Sequence, residues 1–183
     1  MKKLLAVLTL GLSFASTSQA FIRVEPYVGY EMGNGTDQGS TFETKAINAG
    51  ARLGWLSSND KLWVVLDYET TFDGSLDFGD AIERVAFKKT IIAGVIGYNS
   101  QNNPLRVWAG YGVDEWALKD SGSTTYKGKA MKVGIGYTRY KPMSINFEYF
   151  SESFDEVSTT TGSIDADLKG TSYMLSVSWP LKY

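Results

Sequence analysis

The chain contains no cysteine and no histidine. Without cysteine, an oxidising compartment would add no covalent staples. Without histidine, it lacks the commonest general base near neutral pH and the commonest transition-metal ligand. A surplus of positive charge is missing too. Lys and Arg total 18 against 20 Asp and Glu, whereas a nucleic-acid footprint needs a dense basic face. Proline is scarce, at 4 residues, while glycine (19) and aromatics (14%) are plentiful. Beyond the N-terminus there is no run of eighteen apolar residues, which excludes a membrane-spanning helix. A closed β-barrel remains open to such a chain, because a barrel satisfies every backbone group internally.

The N-terminus reads as a secretory signal peptide over Met1–Ala20. Lys2 and Lys3 supply its positive end, Leu4 to Leu12 its short apolar run, and Ser18-Gln19-Ala20 the small-x-small site before Phe21. Removal leaves 183 − 20 = 163 residues, enough for one domain, residues 21–183. The signal carries two lysines and no acids, so the mature balance is 16 basic against 20 acidic residues, a net charge of −4.

Period-two alternation fills the rest. At the C-terminus Tyr173, Leu175, Val177, Trp179, Leu181 and Tyr183 alternate with Ser172, Ser176, Ser178 and Lys182. A strand puts those sets on opposite faces, and a helix would scramble them. Seven more segments read alike. Arg23, Glu25, Tyr27 and Glu31 oppose Val24, Val28, Tyr30 and Met32; Asn48, Gly50 and Arg52 oppose Ile47, Leu53 and Trp55; Trp63, Asp67 and Glu69 oppose Leu62, Leu66 and Tyr68. Arg106, Trp108 and Asp114 oppose Leu105, Val107 and Tyr111; Lys132 and Gly134 oppose Val133 and Ile135; Asn146 and Glu148 oppose Ile145 and Phe147. The fourth segment, Lys88 to Tyr98, is apolar on both faces, which leaves its register open and allows a bulge.

Connections alternate in length. Ser57–Asp60, Asn99–Asn103 and Tyr140–Pro142 are tight, while Gly33–Thr41, Asp73–Ile82, Lys119–Tyr126 and Phe154–Leu168 read as longer polar loops. Short turns at one end and long loops at the other are the pattern of a bacterial outer-membrane barrel. The expected fold is therefore all-β: a transmembrane antiparallel up-and-down barrel of about eight strands. It would sit in the outer membrane of a Gram-negative cell envelope and be monomeric.

A spacing recurs in the four strands that follow long loops. Lys45 precedes Trp55, Lys88 precedes Tyr98, Lys127 precedes Tyr137 and Lys169 precedes Trp179, each by ten residues. Ten strand residues at about 3.3 Å each, tilted about 40°, rise roughly 25 Å, the height of the apolar band of such barrels. The lysines then form an outer rim facing lipopolysaccharide phosphates, and the aromatics form an inner girdle.

The chain resembles the small OmpA/OmpX/OmpW-like outer-membrane β-barrels over its whole mature length. The resemblance rests on Val24-Glu25-Pro26-Tyr27-Val28-Gly29-Tyr30, on the Gly-x-Gly-Tyr phrase ending at Tyr137, and on the alternating C-terminus. It implies that the end at Tyr183 is read by the barrel-assembly machinery, although members typically end in Phe or Trp. Function varies widely within the group, from adhesion to small channels to lipid-modifying enzymes.

The inward set holds Glu25, Asp67, Glu69, Asp114 and Glu148 beside Arg23, Arg52, Arg106 and Lys132. An eight-stranded lumen is filled by side chains, so such charges must pair. A salt-bridge network of Glu25, Arg52, Asp67, Glu69, Arg106, Asp114, Lys132 and Glu148 would plug the barrel. Resemblance to OmpA implies the alternative of a narrow channel for ions or small solutes. No catalytic residue, metal or cofactor is expected. The missing histidine excludes a His-Ser dyad, Asp67 and Glu69 share a face as any inward polar pair would, and Asp73, Asp77 and Asp80 lack EF-hand spacing. One rival keeps the same alternation but inverts it: a soluble periplasmic barrel with its greasy face inward around a lipid.

Overall fold

The computed structural model describes residues 21–37, 39–78, 84–119, 124–138, 142–160 and 162–183. The signal segment 1–20 lies outside the described residues, as do Asp80 and Tyr140. Eight long strands make the barrel: β1 (Phe21–Asp37), β2 (Ser40–Leu56), β3 (Leu62–Asp77), β4 (Val85–Asn99), β5 (Leu105–Leu118), β6 (Thr125–Tyr137), β7 (Ser144–Thr159) and β8 (Gly162–Ser178). Each pairs antiparallel with its sequence neighbours, and β1 closes the sheet against β8.

A further pair of strand residues, Leu181–Lys182, also lies on β1. It continues β8 in the same register, since Tyr27 faces Ser178 and Val24 faces Leu181. Pro26 explains the break. Its carbonyl accepts the Trp179 N–H at 3.0 Å, but its own nitrogen has no hydrogen to donate back.

The register gives the barrel's stagger. A path perpendicular to the strands runs from Pro26 through Ala51, Tyr68, Ile92, Val113, Lys129, Ser153 and Lys169. It re-enters β1 at Thr36, ten residues further on (36 − 26). Ten residues of stagger over eight strands correspond to a tilt of about 40°.

The faces divide as the alternation requires. Leu66, Tyr111 and Leu175 are about 60% exposed on the outside, while Glu25, Arg52 and Glu148 are fully buried inside. Apolar outside and charged inside is the reverse of a lipid carrier, which excludes the inverted soluble barrel.

Two expectations need correction. The segments 33–41 and 154–168 are not long loops. β1 and β2 meet at a hairpin with Asp37 opposite Ser40, and β7 and β8 pair up to Thr159 opposite Gly162. Their polar residues keep the alternation, so the sheet continues beyond the greasy band with polar residues on its outer face. The irregularity also falls elsewhere than in β4. Phe72 is the extra residue on β3, skipped by both of its neighbours, and Phe72 and Asp73 consequently both point outward. β4 itself pairs without interruption with β5, from Phe87 to Asn99.

Candidate functional site: a charged lumen and its two ends

Inward side chains stack in four levels. At the periplasmic-type end, where the tight turns lie, Leu56, Trp63, Val65, Val95 and Trp108 pack together, with Phe21 against them. Glycines make room for the indoles: a Cβ on Gly97 would collide with the Trp63 ring, and one on Gly134 with the Trp108 ring. The Arg23 guanidinium lies 4.4 Å from the centre of the Trp63 ring.

Above this lies the first charged level. Arg52 is its hub. It donates to Glu25 at 3.1 Å, to Asp67 at 3.2 Å and to both oxygens of Glu148 at 2.6 and 2.7 Å. Arg106 also donates to Glu25, and reaches Asn146 (2.8 Å) and Ser178 (3.2 Å). Arg23 donates to the same Glu25 at 3.0 Å. Lys132 lies 2.6 Å from Asp67, 3.4 Å from Glu148 and 3.5 Å from Glu69. The Tyr27 hydroxyl sits 2.9 Å from both Asp67 and Glu69, and Trp108 donates to Glu148 at 3.0 Å. Four cations thus meet four carboxylates.

A second charged level lies outward of the first. Lys89 donates to Glu31 and, at 3.0 Å, to Glu152; Asn48 donates to Glu31 and, at 3.0 Å, to Glu69, joining the levels. Asp114 faces this level but does not join an ion pair among the described residues, and neither of its oxygens accepts a hydrogen bond there. The reason is stoichiometric: Lys89 is the cation of this level and is taken by Glu31 and Glu152. Above it, Phe42, Leu76, Phe87, Trp116, Phe154 and Leu168 form an apolar cap, with Trp116 and Phe154 rings 4.9 Å apart.

Seven of the eight proposed network residues thus share one bonded cluster, and Asp114 stands apart. Sequence reading placed Glu31 and Asn48 inward without assigning them partners, and it missed Lys89, Glu152 and the cap. Lys89 was hidden by the doubly apolar β4. Glu152 fell within the last strand residues before an assumed loop, where alternation with Phe150 and Phe154 was the available signal.

The outer-rim lysines are exposed and nearly level. Following the pairing from Lys45 leads through Ser75 to Ala86, and Lys88 is two residues lower; from Lys88 it leads through Ala117 to Thr125, and Lys127 is again two lower. A level ring with this stagger requires about 2.5 residues per two strands. Bulges at Asp155 and before Leu168 bring Lys169 near the same height. Three outer cations have acidic neighbours: Lys45 lies 3.8 Å from Glu43, Lys129 3.7 Å from Asp155 and Lys169 2.9 Å from Asp167. Trp55, Tyr98, Tyr137 and Trp179 face outward at the other end, and Tyr183 is exposed beside them. Of the loop acids, Asp73 points outward and Asp77 pairs with Arg84 at 3.3 Å. At the outer mouth the Tyr126 hydroxyl lies 3.4 Å from Asp37, and partial burial together with that carboxylate pushes the phenol above its ordinary range.

Solved structures share this architecture. The attachment invasion locus protein Ail of Yersinia pestis, crystallised with the heparin analogue sucrose octasulfate, superposes with a TM-score of 0.63 at 14% identity. The match covers 87% of this chain and 99% of Ail. Neisserial surface protein A gives a TM-score of 0.56 at 14% identity, covering 87% of this chain and 97% of that one. The fold is that of a small outer-membrane β-barrel. No family model and no curated protein matches the sequence. At this identity the likeness carries architecture, and function has to be argued from the side chains.

Proposed function

We propose that the protein is an integral outer-membrane barrel with a plugged lumen, acting as a non-enzymatic structural or surface-interaction component of the envelope. One observation carries this reading: two bonded charged levels lie across the lumen between two apolar ends. Opening a path for ions would require breaking several desolvated ion pairs at once, each costly to leave half-paired. The competing reading is a narrow channel, supported by the alternative carboxylates within reach of Arg52. Planar-bilayer recordings separate them. The plugged barrel is silent, whereas steady conductance that changes on substituting Arg52, Arg106 or Lys132 would establish the channel.

Export would follow from removal of Met1–Ala20 at the small-x-small site before Phe21. N-terminal sequencing of protein from membranes should start at Phe21. The exposed lysine ring supports contact with lipopolysaccharide phosphates, and the terminal strand supports handling by the barrel-assembly machinery. Replacing Lys45, Lys88, Lys127 and Lys169 together by Gln should weaken lipopolysaccharide retention on detergent extraction; unchanged retention rejects the contact. Ail's sulfated ligand is a poor guide for this chain. At 14% identity the likeness to Ail carries the fold and not its ligand.

A further inference from the structure

The β7–β8 hairpin reaches beyond its neighbour on one side. β8 starts at Gly162, but its pairing with β1 reaches only as far as Leu168, opposite Asp37. Residues 162–167 pair with β7 alone, from Thr159 opposite Gly162 to Glu156 opposite Asp165. On their other side no strand pairs with them, and no backbone–backbone hydrogen bond reaches them among the described residues. The segment gives about 20 Å of open sheet edge, with main-chain donors and acceptors free to take another strand.

The two faces of this edge differ. Leu168 points into the barrel, and by alternation Ile164 and Ala166 lie on the same face. Ile164 is 63% exposed although Val157, its partner on β7, is buried, because no strand covers it from the open side. Ser163, Asp165 and Asp167 take the outward face. Asp167 lies 2.9 Å from Lys169. Asp165 stands opposite a second carboxylate, Glu156, and joins no ion pair among the described residues. Charged residues on an edge keep strands out, and here the exclusion is selective. A second copy of this chain would set aspartate against aspartate, and like charges directly opposite are destabilising. A basic strand would gain at the same positions.

We propose that residues 162–167 accept an extended peptide of alternating basic and apolar residues, added as a further strand beside β8. Its main chain would complete the ladder. Its basic side chains would lie over Asp165 and Asp167, and its apolar ones beside Ile164 and Ala166. This deepens the surface-interaction reading and rests on the hairpin standing outside the membrane. Plugging is a separate matter: a conducting barrel would present the same edge, and a barrel that took no peptide would be no less plugged.

The test uses the intact barrel in phosphatidylcholine nanodiscs and a fluorescent, end-capped peptide, Lys-Val-Lys-Val-Lys-Val, with empty nanodiscs as the blank. Fluorescence anisotropy should show saturable binding below about 1 mM, one peptide per chain. Hydrogen exchange should slow within residues 163–167. Methylating the three valine amides or the three lysine amides blocks opposite edges of the peptide strand. One form should therefore lose at least about tenfold in affinity and the other little. Glu-Val-Glu-Val-Glu-Val should not bind. Asp165→Lys together with Asp167→Lys should reverse the preference, taking the glutamyl peptide and rejecting the lysyl one, while the heat-modifiable gel shift shows a folded barrel. Both methylated forms binding like the parent, a preference unmoved in the folded Asp165→Lys, Asp167→Lys variant, or no saturation below about 1 mM would each overturn the proposal. So would protection of residues 163–167 that grows with barrel concentration in the absence of peptide, the mark of a second copy.

Discussion

Single side chains decide how the lumen holds together. Arg52 is fully buried and touches three carboxylates, so Arg52→Ala would leave Glu25, Asp67 and Glu148 short of a cation. Breaking a buried pair from one side costs about 3–5 kcal/mol. Urea unfolding in lipid should show a loss of that size, and a loss below about 1 kcal/mol would mean that water or another cation replaces the guanidinium. Gly134→Ala probes packing instead. The new methyl meets the Trp108 ring and should cost about 1–3 kcal/mol, as overpacking does. Residues of this kind were partly legible. Alternation placed Arg52, Asp67, Arg106, Lys132 and Glu148 on the inward face, because polar side chains of a narrow barrel in lipid have nowhere else to go. It could not say that Asp114 would lack a partner, since that depends on which cation stands across the lumen.

At the scale of strands, the pairing of β1 with β8 has a single weak step at Pro26. Pro26→Val would supply the missing N–H to the Trp179 carbonyl and join Leu181–Lys182 to β8 in one ladder. Stability should rise by about 0.5–1.5 kcal/mol, the net value of one hydrogen bond. No gain, with the introduced amide left open to hydrogen exchange, would show that the seam is closed by other contacts. Strand existence and facing were readable from period two alone. Strand ends were not. Polar stretches such as Gly33–Thr41 read as loop because strands beyond the lipid carry polar residues on their outer face. The register of β4 was equally hidden, for a physical reason. Its inward Ile91, Ala93 and Val95 abut the indole-rich end of the lumen while Ile92 and Ile96 face outward, so both stripes are greasy.

For the whole molecule, one division of surfaces underlies everything else: an apolar exterior closed around a charged, packed interior. That division makes the protein a membrane barrel and makes the ion pairs costly to open. β4 offers the sharpest test, because its two faces look alike in sequence and must differ in surroundings. Nuclear Overhauser contacts between lipid acyl chains and protein methyls, measured on unmodified protein in nanodiscs, read this directly. Contacts to Ile92, Ile96, Leu66 and Val133, with none to Ile91, Val65 and Val95, are the expected result. Lipid contacts to the second set and not to the first would turn the barrel inside out and contradict the account.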